Sequence, residues 1–269
     1  MKKVYILLLI LLSVVLVSCN KNENEIVVAA SPKPHAEILE FAKPLLKEKG
    51  YNLVIKRYND YILPNEALTR KQVDANFFQH VPYLNTYNKE NNTNIINLLE
   101  VHIEPIGIYS KTYTKISDIK DESTIYMSSS KSDHGRLITL LNNNDLLSIP
   151  KEIDTLELTI DDLKENNKAW NPKNLKIDAT ILPEGLVEAY KHDQADLILI
   201  NSNFILDANL KISEALILEE AKDNPYANII ATIPEYKDTD KIKALIEVLS
   251  SKEVKDFILE NWNGDIVVA

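Results

Sequence analysis

A strand–helix–strand rhythm begins at residue 26 and fixes the class of fold open to the chain. Residues 26–30 form an apolar run typical of a buried strand, and residues 53–57 alternate apolar and polar side chains as a second strand. Between them, residues 36–49 carry apolar side chains at helical spacing, with Pro44 expected to kink or restart the helix. This order predicts βαβ units and an α/β fold with a mostly parallel sheet.

The same alternation continues to the end of the chain. Asn65 is expected to cap a helix over residues 66–72. Further helices are predicted over 82–90, 134–142, 183–192 and 240–262, the last of them broken near Ser250 and Ser251. Further strands are predicted over 101–109, 124–128, 196–200 and 229–233. A chain of 269 residues with this many elements can build one large or two medium domains.

The N-terminal segment predicts export and a lipid anchor. Met1 is followed by two lysines and by an uncharged run over 5–17, which is shorter than the roughly 20 apolar residues of a spanning helix. Residues 16–19 (Leu-Val-Ser-Cys) resemble the lipobox of bacterial lipoproteins, in which the signal peptide is cut before a cysteine that carries lipid, palmitate included. We therefore expect a signal peptide over 1–18 and a lipidated tether over 19–25. Cys19 would anchor the protein at the extracytoplasmic face of the cell membrane.

The composition excludes several functional classes. Hydrophobic residues make up 45% of the chain and charged residues 26%, which argues against a disordered or collagen-like protein. The 40 acidic and 30 basic side chains give a net charge of −10, which argues against nucleic acid as a partner. The chain has only 5 glycines and no glycine-rich phosphate-binding motif, and no cofactor is expected.

Several segments of the chain carry long and specific sequence motifs. Residues 58–68 read Tyr-Asn-Asp-Tyr-Ile-Leu-Pro-Asn-Glu-Ala-Leu, and residues 74–84 read Asp-Ala-Asn-Phe-Phe-Gln-His-Val-Pro-Tyr-Leu. Shorter motifs lie at 31–39, 102–110, 135–136, 171–177, 200–201 and 225–230. In order along the chain, these segments resemble those of the methionine-binding lipoproteins, the NlpA family, whose members are the substrate-binding components of methionine ABC importers. The resemblance implies a receptor that binds methionine and delivers it to an ABC permease, and not an enzyme.

The resemblance also implies the two-lobed periplasmic-binding-protein fold (type II), with the ligand cleft between the lobes. One lobe would combine residues 26–108 with residues 228–269, and residues 109–227 would form the other. The chain would then cross twice between the lobes, and these crossings would act as a hinge.

Three polar residues suit the two charged ends of an amino acid, and the resemblance places them in the ligand site. Arg136 offers a planar, permanently charged fork for an α-carboxylate, near the start of a predicted helix whose N-terminus adds positive potential. Asn201 and Asn228 flank apolar strands and could hold the α-ammonium, because ligands of α/β proteins collect at strand ends. The alternatives are an arginine on a solvated helix face and asparagines that cap turns.

An aromatic enclosure would suit the thioether tail of methionine, since contacts between sulfur and aromatic rings are favourable. The candidates are Tyr61, Phe78, His80 and Tyr83. Phe77 and Phe78 point to opposite faces of an extended segment, so only one of them can line a cleft, and the resemblance favours Phe78. The alternative is that these rings belong to the core and that His80 is a buried histidine with satisfied hydrogen bonds.

One position departs from the family pattern. Before Gly135 and Arg136 the family usually has Thr-Asn or Ser-Asn and one variable residue, whereas this chain has Ser132, Asp133 and His134. A carboxylate at this place would repel a free α-carboxylate or pair with an ammonium group. The ligand therefore stays open between methionine, a methionine-containing dipeptide and another amino acid.

Two other functions have weaker support in the sequence. An anchored serine hydrolase could use Ser128 and Lys131, which have S-x-x-K spacing, but the partner motifs S-D-N and K-T-G are missing from the sequence, as is G-x-S-x-G. No metal is expected, because no two histidines lie four residues apart on one predicted helix. A metal receptor would have to draw on His35, His80, His102 and His134.

Overall fold

The computed structural model describes residues 24–221, 224–262 and 265–269. The predicted signal peptide, Cys19 and most of the predicted tether lie outside the described residues. Within these ranges, no helix has both the length and the apolar character needed to cross a membrane.

The described residues form eleven strands and ten α-helices. The strands are β1 (Glu25–Ala30), β2 (Asn52–Arg57), β3 (Ala75–His80), β4 (Ile96–Ile103), β5 (Gly107–Tyr109), β6 (Thr124–Ser128), β7 (Lys176–Ile181), β8 (Leu197–Ile200), β9 (Ile217–Leu218), β10 (Asn228–Thr232) and β11 (Val267–Val268). The helices are α1 (Glu37–Glu48), α2 (Leu63–Thr69), α3 (Val81–Asn91), α4 (Lys131–Asn143), α5 (Ile160–Glu165), α6 (Asn167–Trp170), α7 (Leu186–Lys191), α8 (Ser202–Asp207), α9 (Asp240–Leu249) and α10 (Lys252–Trp262).

The strands form two mixed sheets. The first has the order β11-β4-β10-β3-β1-β2, and the second has the order β7-β6-β8-β5-β9. Strands β1, β2 and β3 pair in parallel, and so do β6, β7 and β8, whereas β10 runs antiparallel to both of its neighbours. The predicted βαβ rhythm is thus confirmed in both sheets. The expected mostly parallel sheet is wrong, because five of the nine strand pairs among the described residues are antiparallel, where the chain returns from the other sheet.

The chain passes between the two sheets twice. Strand β4 leads into β5 across residues 104–106, and β9 leads into β10 across residues 219–227. This topology confirms the expected two-lobed α/β fold with two crossings. The lobe boundaries stay a prediction, and the pairing of β5 with β8 and β9 favours placing the first boundary at 104–106 instead of 108.

Apolar packing holds the lobes in place around the crossings. One cluster of buried side chains centres on the first sheet and includes Ile26, Leu39 and Leu245, all without exposed surface. The same cluster includes Tyr109 and Phe204 from the second lobe, so the two lobes share part of their core next to the crossings. Each fully buried aliphatic side chain contributes about 1.5–3 kcal/mol to folding.

Two details of the sequence prediction are wrong, and one of the two alternatives for a third is excluded. Asn65 does not cap a helix: it lies inside α2, which begins earlier because Asp60 Oδ1 accepts the N–H groups of Ile62 and Leu63. Residues 101–109 are not one strand, because the chain leaves the first sheet before Pro105 and β5 joins the second. Helix α1 does not restart at Pro44 but continues through it.

Candidate functional site

A cleft between the two lobes brings together all seven residues predicted for the ligand site. They are Tyr61, Phe78, His80, Tyr83, Arg136, Asn201 and Asn228. Five further residues complete the lining, namely His35, Gln79, Glu104, Asp133 and Asn203. The space between these side chains measures about 410 Å³, including the part open to solvent. The binding roles of the seven residues stay a prediction.

Strand ends position the polar groups of the cleft. His80 is the last residue of β3 and Asn228 is the first of β10, and the two are paired in the antiparallel register. Asn201 follows β8, and Glu104 follows β4 at the first crossing. The side chains therefore meet where ligands commonly bind in α/β folds, at the edge of the sheet.

Arg136 is buried and its guanidinium is already held by the protein. Its Nε donates to both carboxylate oxygens of Glu219, at 2.8 and 3.0 Å, and Nη2 donates to Glu219 and to the backbone oxygen of Glu104. The ring of Tyr226 lies 4.6 Å from the guanidinium carbon. Among the described residues no acceptor bonds Nη1, so this nitrogen, and not the whole fork, is left for a ligand carboxylate.

The helix around Arg136 starts earlier than the sequence indicated. Helix α4 begins at Lys131, which places Arg136 in its second turn instead of at its head. The positive end of the helix dipole acts mainly over the first turn. Arg136 is therefore oriented chiefly by Glu219, a partner 83 positions away that sequence reasoning could not find.

The asparagines present unpaired atoms to the cleft. Asn201 occupies the N-cap position of α8, but its side chain makes no capping hydrogen bond and its Oδ1 is buried without a partner. Asn203 accepts the hydroxyl proton of Tyr61 at 2.7 Å across the two lobes, and its Nδ2 is buried without a partner. Buried polar atoms are normally hydrogen-bonded. Asn201 Oδ1 therefore marks a place for a ligand donor, and Asn203 Nδ2 marks a place for a ligand acceptor. The capping role considered for Asn201 is not observed.

His80 and Asp133 form a buried pair between the lobes. His80 Nδ1 accepts the backbone N–H of Tyr83 at 3.1 Å, so the ring proton is on Nε2, which donates to Asp133 Oδ1 at 3.0 Å. Burial raises the pKa of Asp133, but the hydrogen bond from His80 and the charge of Arg136 outweigh it and hold the pKa below its ordinary value. Asp133 is therefore ionised.

Three aromatic rings form one side of the cleft, here called the aromatic wall: Tyr61, Phe78 and Tyr83. Their ring centroids lie 5.9–6.1 Å apart, and the Tyr83 hydroxyl donates to the backbone oxygen of Tyr61 at 2.6 Å. Phe77 points the other way, is fully buried, and packs edge-on against His35 at 4.7 Å. Strand alternation thus places Phe78, and not Phe77, on the cleft, as the sequence analysis expected.

A buried cluster of two histidines and a carboxylate lies at the base of the cleft. Glu104 Oε1 is 2.7 Å from His102 Nε2 and 3.2 Å from His35 Nε2, and His35 Nε2 is also 3.0 Å from Asn228 Oδ1. Burial lowers the pKa of His35 to about 4 and that of His102 to about 3, so both rings are neutral. This cluster was not predicted. The one sequence signal for it was Glu104, the only glutamate in the predicted strand over residues 101–109.

The same cluster is the place where the described residues could hold a metal ion. The donor atoms of His35, His102 and Glu104 lie within 4.8 Å of one another. These atoms are already joined by hydrogen bonds, however. A metal-bound histidine is usually oriented by a hydrogen bond at its other ring nitrogen, and Nδ1 of His35 and Nδ1 of His102 both lack such a partner. His80 instead contacts Asp133, so the four histidines considered for a metal receptor do not converge on one site.

Replacing His102 with glutamine should remove part of the pH dependence of stability. His102 has a folded pKa of about 3 against an ordinary value of 6.5, so its stabilising contribution is complete above pH 6.5 and is lost as the pH falls towards 3. Glutamine Nε2 can still donate to Glu104 but does not titrate. Urea unfolding between pH 7 and pH 4.5 gives the free energy of unfolding as a function of pH. Its slope against pH should be lower in the variant, by up to about 1.4 kcal/mol per pH unit. An unchanged slope would contradict the buried neutral assignment.

The residues considered for a serine hydrolase are not arranged as a catalytic pair. Ser128 is buried at the end of β6, and its Oγ accepts the backbone N–H of Ser130 at 3.0 Å. Lys131 is exposed at the start of α4. A nucleophile needs a base within hydrogen-bond reach, and the exposed Lys131 does not supply one to the buried hydroxyl.

Comparisons with known proteins agree with this architecture. The sequence model of a family described as NlpA lipoprotein matches residues 26–269. A Bacillus subtilis protein named methionine-binding lipoprotein MetQ is 42% identical, over 99% of this chain and 98% of that protein. A Salmonella typhi protein named D-methionine-binding lipoprotein MetQ is 31% identical, over 95% of this chain and 93% of that protein. A nutrient binding protein from Burkholderia cenocepacia, solved bound to methionine, is 31% identical with a TM-score of 0.82, over 91% of this chain and 99% of that one.

Proposed function

The chain belongs to the NlpA lipoprotein family, and from that premise we propose that it is a receptor that binds methionine and delivers it to an ABC permease. The observation that carries the proposal is the cleft, which offers a separate partner to each part of the amino acid. Arg136 Nη1 and Asn203 Nδ2 can donate to the α-carboxylate. Asn201 Oδ1 can accept from the α-ammonium, and the aromatic wall can enclose the thioether.

The expected energies suit a nutrient receptor. Burial of the methionine side chain contributes about 1.5–3 kcal/mol, and each hydrogen bond to a charged end of the ligand about 1.5–3 kcal/mol. Two or three such bonds at each end, set against several kcal/mol of ordering cost, leave about 8–12 kcal/mol, which corresponds to micromolar to nanomolar affinity. Neither the aromatic wall nor the polar groups would reach this affinity alone.

The proposed receptor acts at the membrane without covalent chemistry. Cys19 would carry the lipid that holds it at the extracytoplasmic face, and the six residues between Cys19 and residue 26 would serve as a tether. The two crossings would act as the hinge on which the lobes close over the ligand and reopen at the permease. Binding and release of this kind require no catalytic residue.

Calorimetry of the chain from residue 20 onward tests the proposal. The protein is unfolded and refolded to remove carried-over ligand, then titrated with L-methionine, D-methionine, Gly-Met and a panel of other amino acids. We expect one saturable site with micromolar or tighter affinity for methionine. If Gly-Met or another amino acid binds and methionine does not, the receptor role stands with a different ligand; if nothing binds, the proposed function is wrong.

A further inference from the structure

The chain enters the first lobe at the side that lies opposite the cleft. The described residues start at Asn24, whose backbone oxygen accepts the N–H of Asn52 at 2.7 Å, so residue 24 is already fixed to the first sheet. Strand β1 then runs over six residues to its carboxyl end, where the cleft lies. At about 3.3 Å per residue, the entry point is about 20 Å from the cleft edge of the sheet.

The chain segments on this side form one surface, here called the base of the first lobe. They precede β1 and the strands that run in the same direction, namely β2, β3 and β4, or they follow the antiparallel strand β10. All of them therefore lie at the sheet edge that faces away from the cleft. The base consists of residues 24–25, 49–51, 70–74, 92–95 and 233–241.

A lysine of the base holds the entering chain in place. Lys241 Nζ donates to the backbone oxygen of Glu25 at 3.3 Å and lies 2.8 Å from Asp74 Oδ1. The side chain of Asp74 is 2% exposed and that of Lys241 14%, so water does little to weaken this ion pair. The entering chain is thus part of the folded lobe from residue 24 onward.

A lipid on Cys19 would therefore hold the base close to the membrane. Five residue steps separate Cys19 from Asn24, and fully extended they reach at most about 18 Å. A folded chain of about 250 residues is roughly 45 Å across. If the entry point lies within about 18 Å of the lipid, the opposite end of the molecule stays at least about 27 Å away from it.

The base and the predicted second lobe differ in charge. The base carries five basic and five acidic side chains, so its net charge is zero. Residues 109–227 carry 13 basic and 21 acidic side chains, which accounts for −8 of the net charge of −10. An anionic lipid surface repels acidic protein surface within a screening length of about 8–10 Å. Anionic lipid therefore repels the second lobe and does not repel the base.

We propose that the short tether and this charge distribution hold the anchored receptor with the base of its first lobe against the lipid surface and with its second lobe away from it. The proposal rests on the lipid anchor in the proposed function and adds the face by which the protein meets the membrane. In this orientation the mouth of the cleft opens sideways. The receptor would have to tilt on a nearly extended tether to present the cleft to a permease.

Energy transfer from a dye on the protein to an acceptor lipid tests the orientation. The lipidated full chain is reconstituted in vesicles of phosphatidylethanolamine and phosphatidylglycerol. Cys19 is the only cysteine of the chain, so an introduced cysteine is the only free thiol once Cys19 carries lipid. Three exposed positions are labelled one at a time, and thermal melting checks that each variant folds: N94C on the base, L182C at the mouth of the cleft, and A169C in α6. Helix α6 leads into the amino end of β7, on the side of the second lobe away from the cleft.

The order of the three signals decides the outcome. We expect transfer to fall from N94C through L182C to A169C, with N94C about twofold or more above A169C because of the distances that the tether allows. Transfer from L182C or A169C that equals or exceeds that from N94C would overturn the proposal. The chain from residue 20 onward lacks the anchor and should not sediment with the vesicles. If the full chain does not sediment with them either, the anchor and the proposal are wrong, whereas calorimetry with methionine still tests the receptor role.

A longer tether on neutral lipid tests the cause of the orientation. A long Gly-Ser segment inserted after Lys21 frees the base from the lipid without changing the described fold. Vesicles of phosphatidylcholine alone remove the repulsion of the second lobe. With both changes, transfer from N94C and A169C should become equal. A difference that persists would mean that neither the tether nor the charge sets the orientation, which would overturn the proposal.

Discussion

Replacing Arg136 with alanine should abolish measurable methionine binding and also destabilise the empty protein. The ligand loses the hydrogen bonds from Nη1 to its carboxylate, each contributing about 1.5–3 kcal/mol, which predicts a loss of affinity of at least about a hundredfold. The protein loses the partner of Glu219, and removing one side of a buried ion pair costs about 3–5 kcal/mol. Calorimetry measures the first effect, and urea unfolding measures the second.

A second substitution separates the two effects of Arg136. In the double variant R136A/E219Q the stranded carboxylate is gone, so part of the lost stability should return while binding stays abolished. R70A is the surface control, because Arg70 is exposed and its ion pair with Glu66 contributes at most about 1 kcal/mol. Affinity within tenfold of the unmodified protein in R136A would mean that the carboxylate binds elsewhere.

Replacing Gly135 with alanine should be the most damaging small change in the second lobe. A Cβ built on Gly135 would lie 1.9 Å from the backbone oxygen of Leu156, so helix α4 and the turn at 155–157 could no longer pack as they do. Forcing extra atoms into packed structure costs about 1–3 kcal/mol, and backbone is less able to yield than a side chain. The same shift would move Asp133 and Arg136, so methionine affinity should fall about tenfold or more.

Gly185 offers a matched control for this prediction. A Cβ at Gly185 would lie 3.1 Å from a methyl group of Ile181, which a small side-chain movement can relieve. G185A should therefore change the free energy of unfolding and the methionine affinity far less than G135A. If both variants melt and bind alike, the close approach of α4 to Leu156 does not position the cleft.

The main features of the fold and of the cleft lining followed from local sequence. Period-two alternation placed Phe78 on the cleft and Phe77 in the core, and two apolar helical stripes placed the break between α9 and α10 at Ser250 and Ser251. Such signals are readable because they depend only on neighbours along the chain. The resemblance to a family then gathered the remaining site residues into one place.

The features that were missed depend on partners distant in sequence. Glu219 lies 83 residues from Arg136, and no spacing rule connects them. The contact between His35 and Glu104 likewise joins the turn before α1 to the first crossing. The side chain of Asn65 also has a partner that spacing could not show: it joins Gln79 in a buried amide network that only the folded sheet creates. Local propensity cannot anticipate such long-range satisfaction of polar groups.

A crystal structure of the refolded chain with L-methionine tests the central claim most directly. The account predicts methionine in the cleft, with its carboxylate on Arg136 Nη1, its ammonium on Asn201 Oδ1, and its sulfur against the aromatic wall. Methionine turned end for end, with the ammonium beside the guanidinium, would contradict the assignment of the subsites. A crystal grown with saturating methionine whose cleft holds none would contradict the account as a whole.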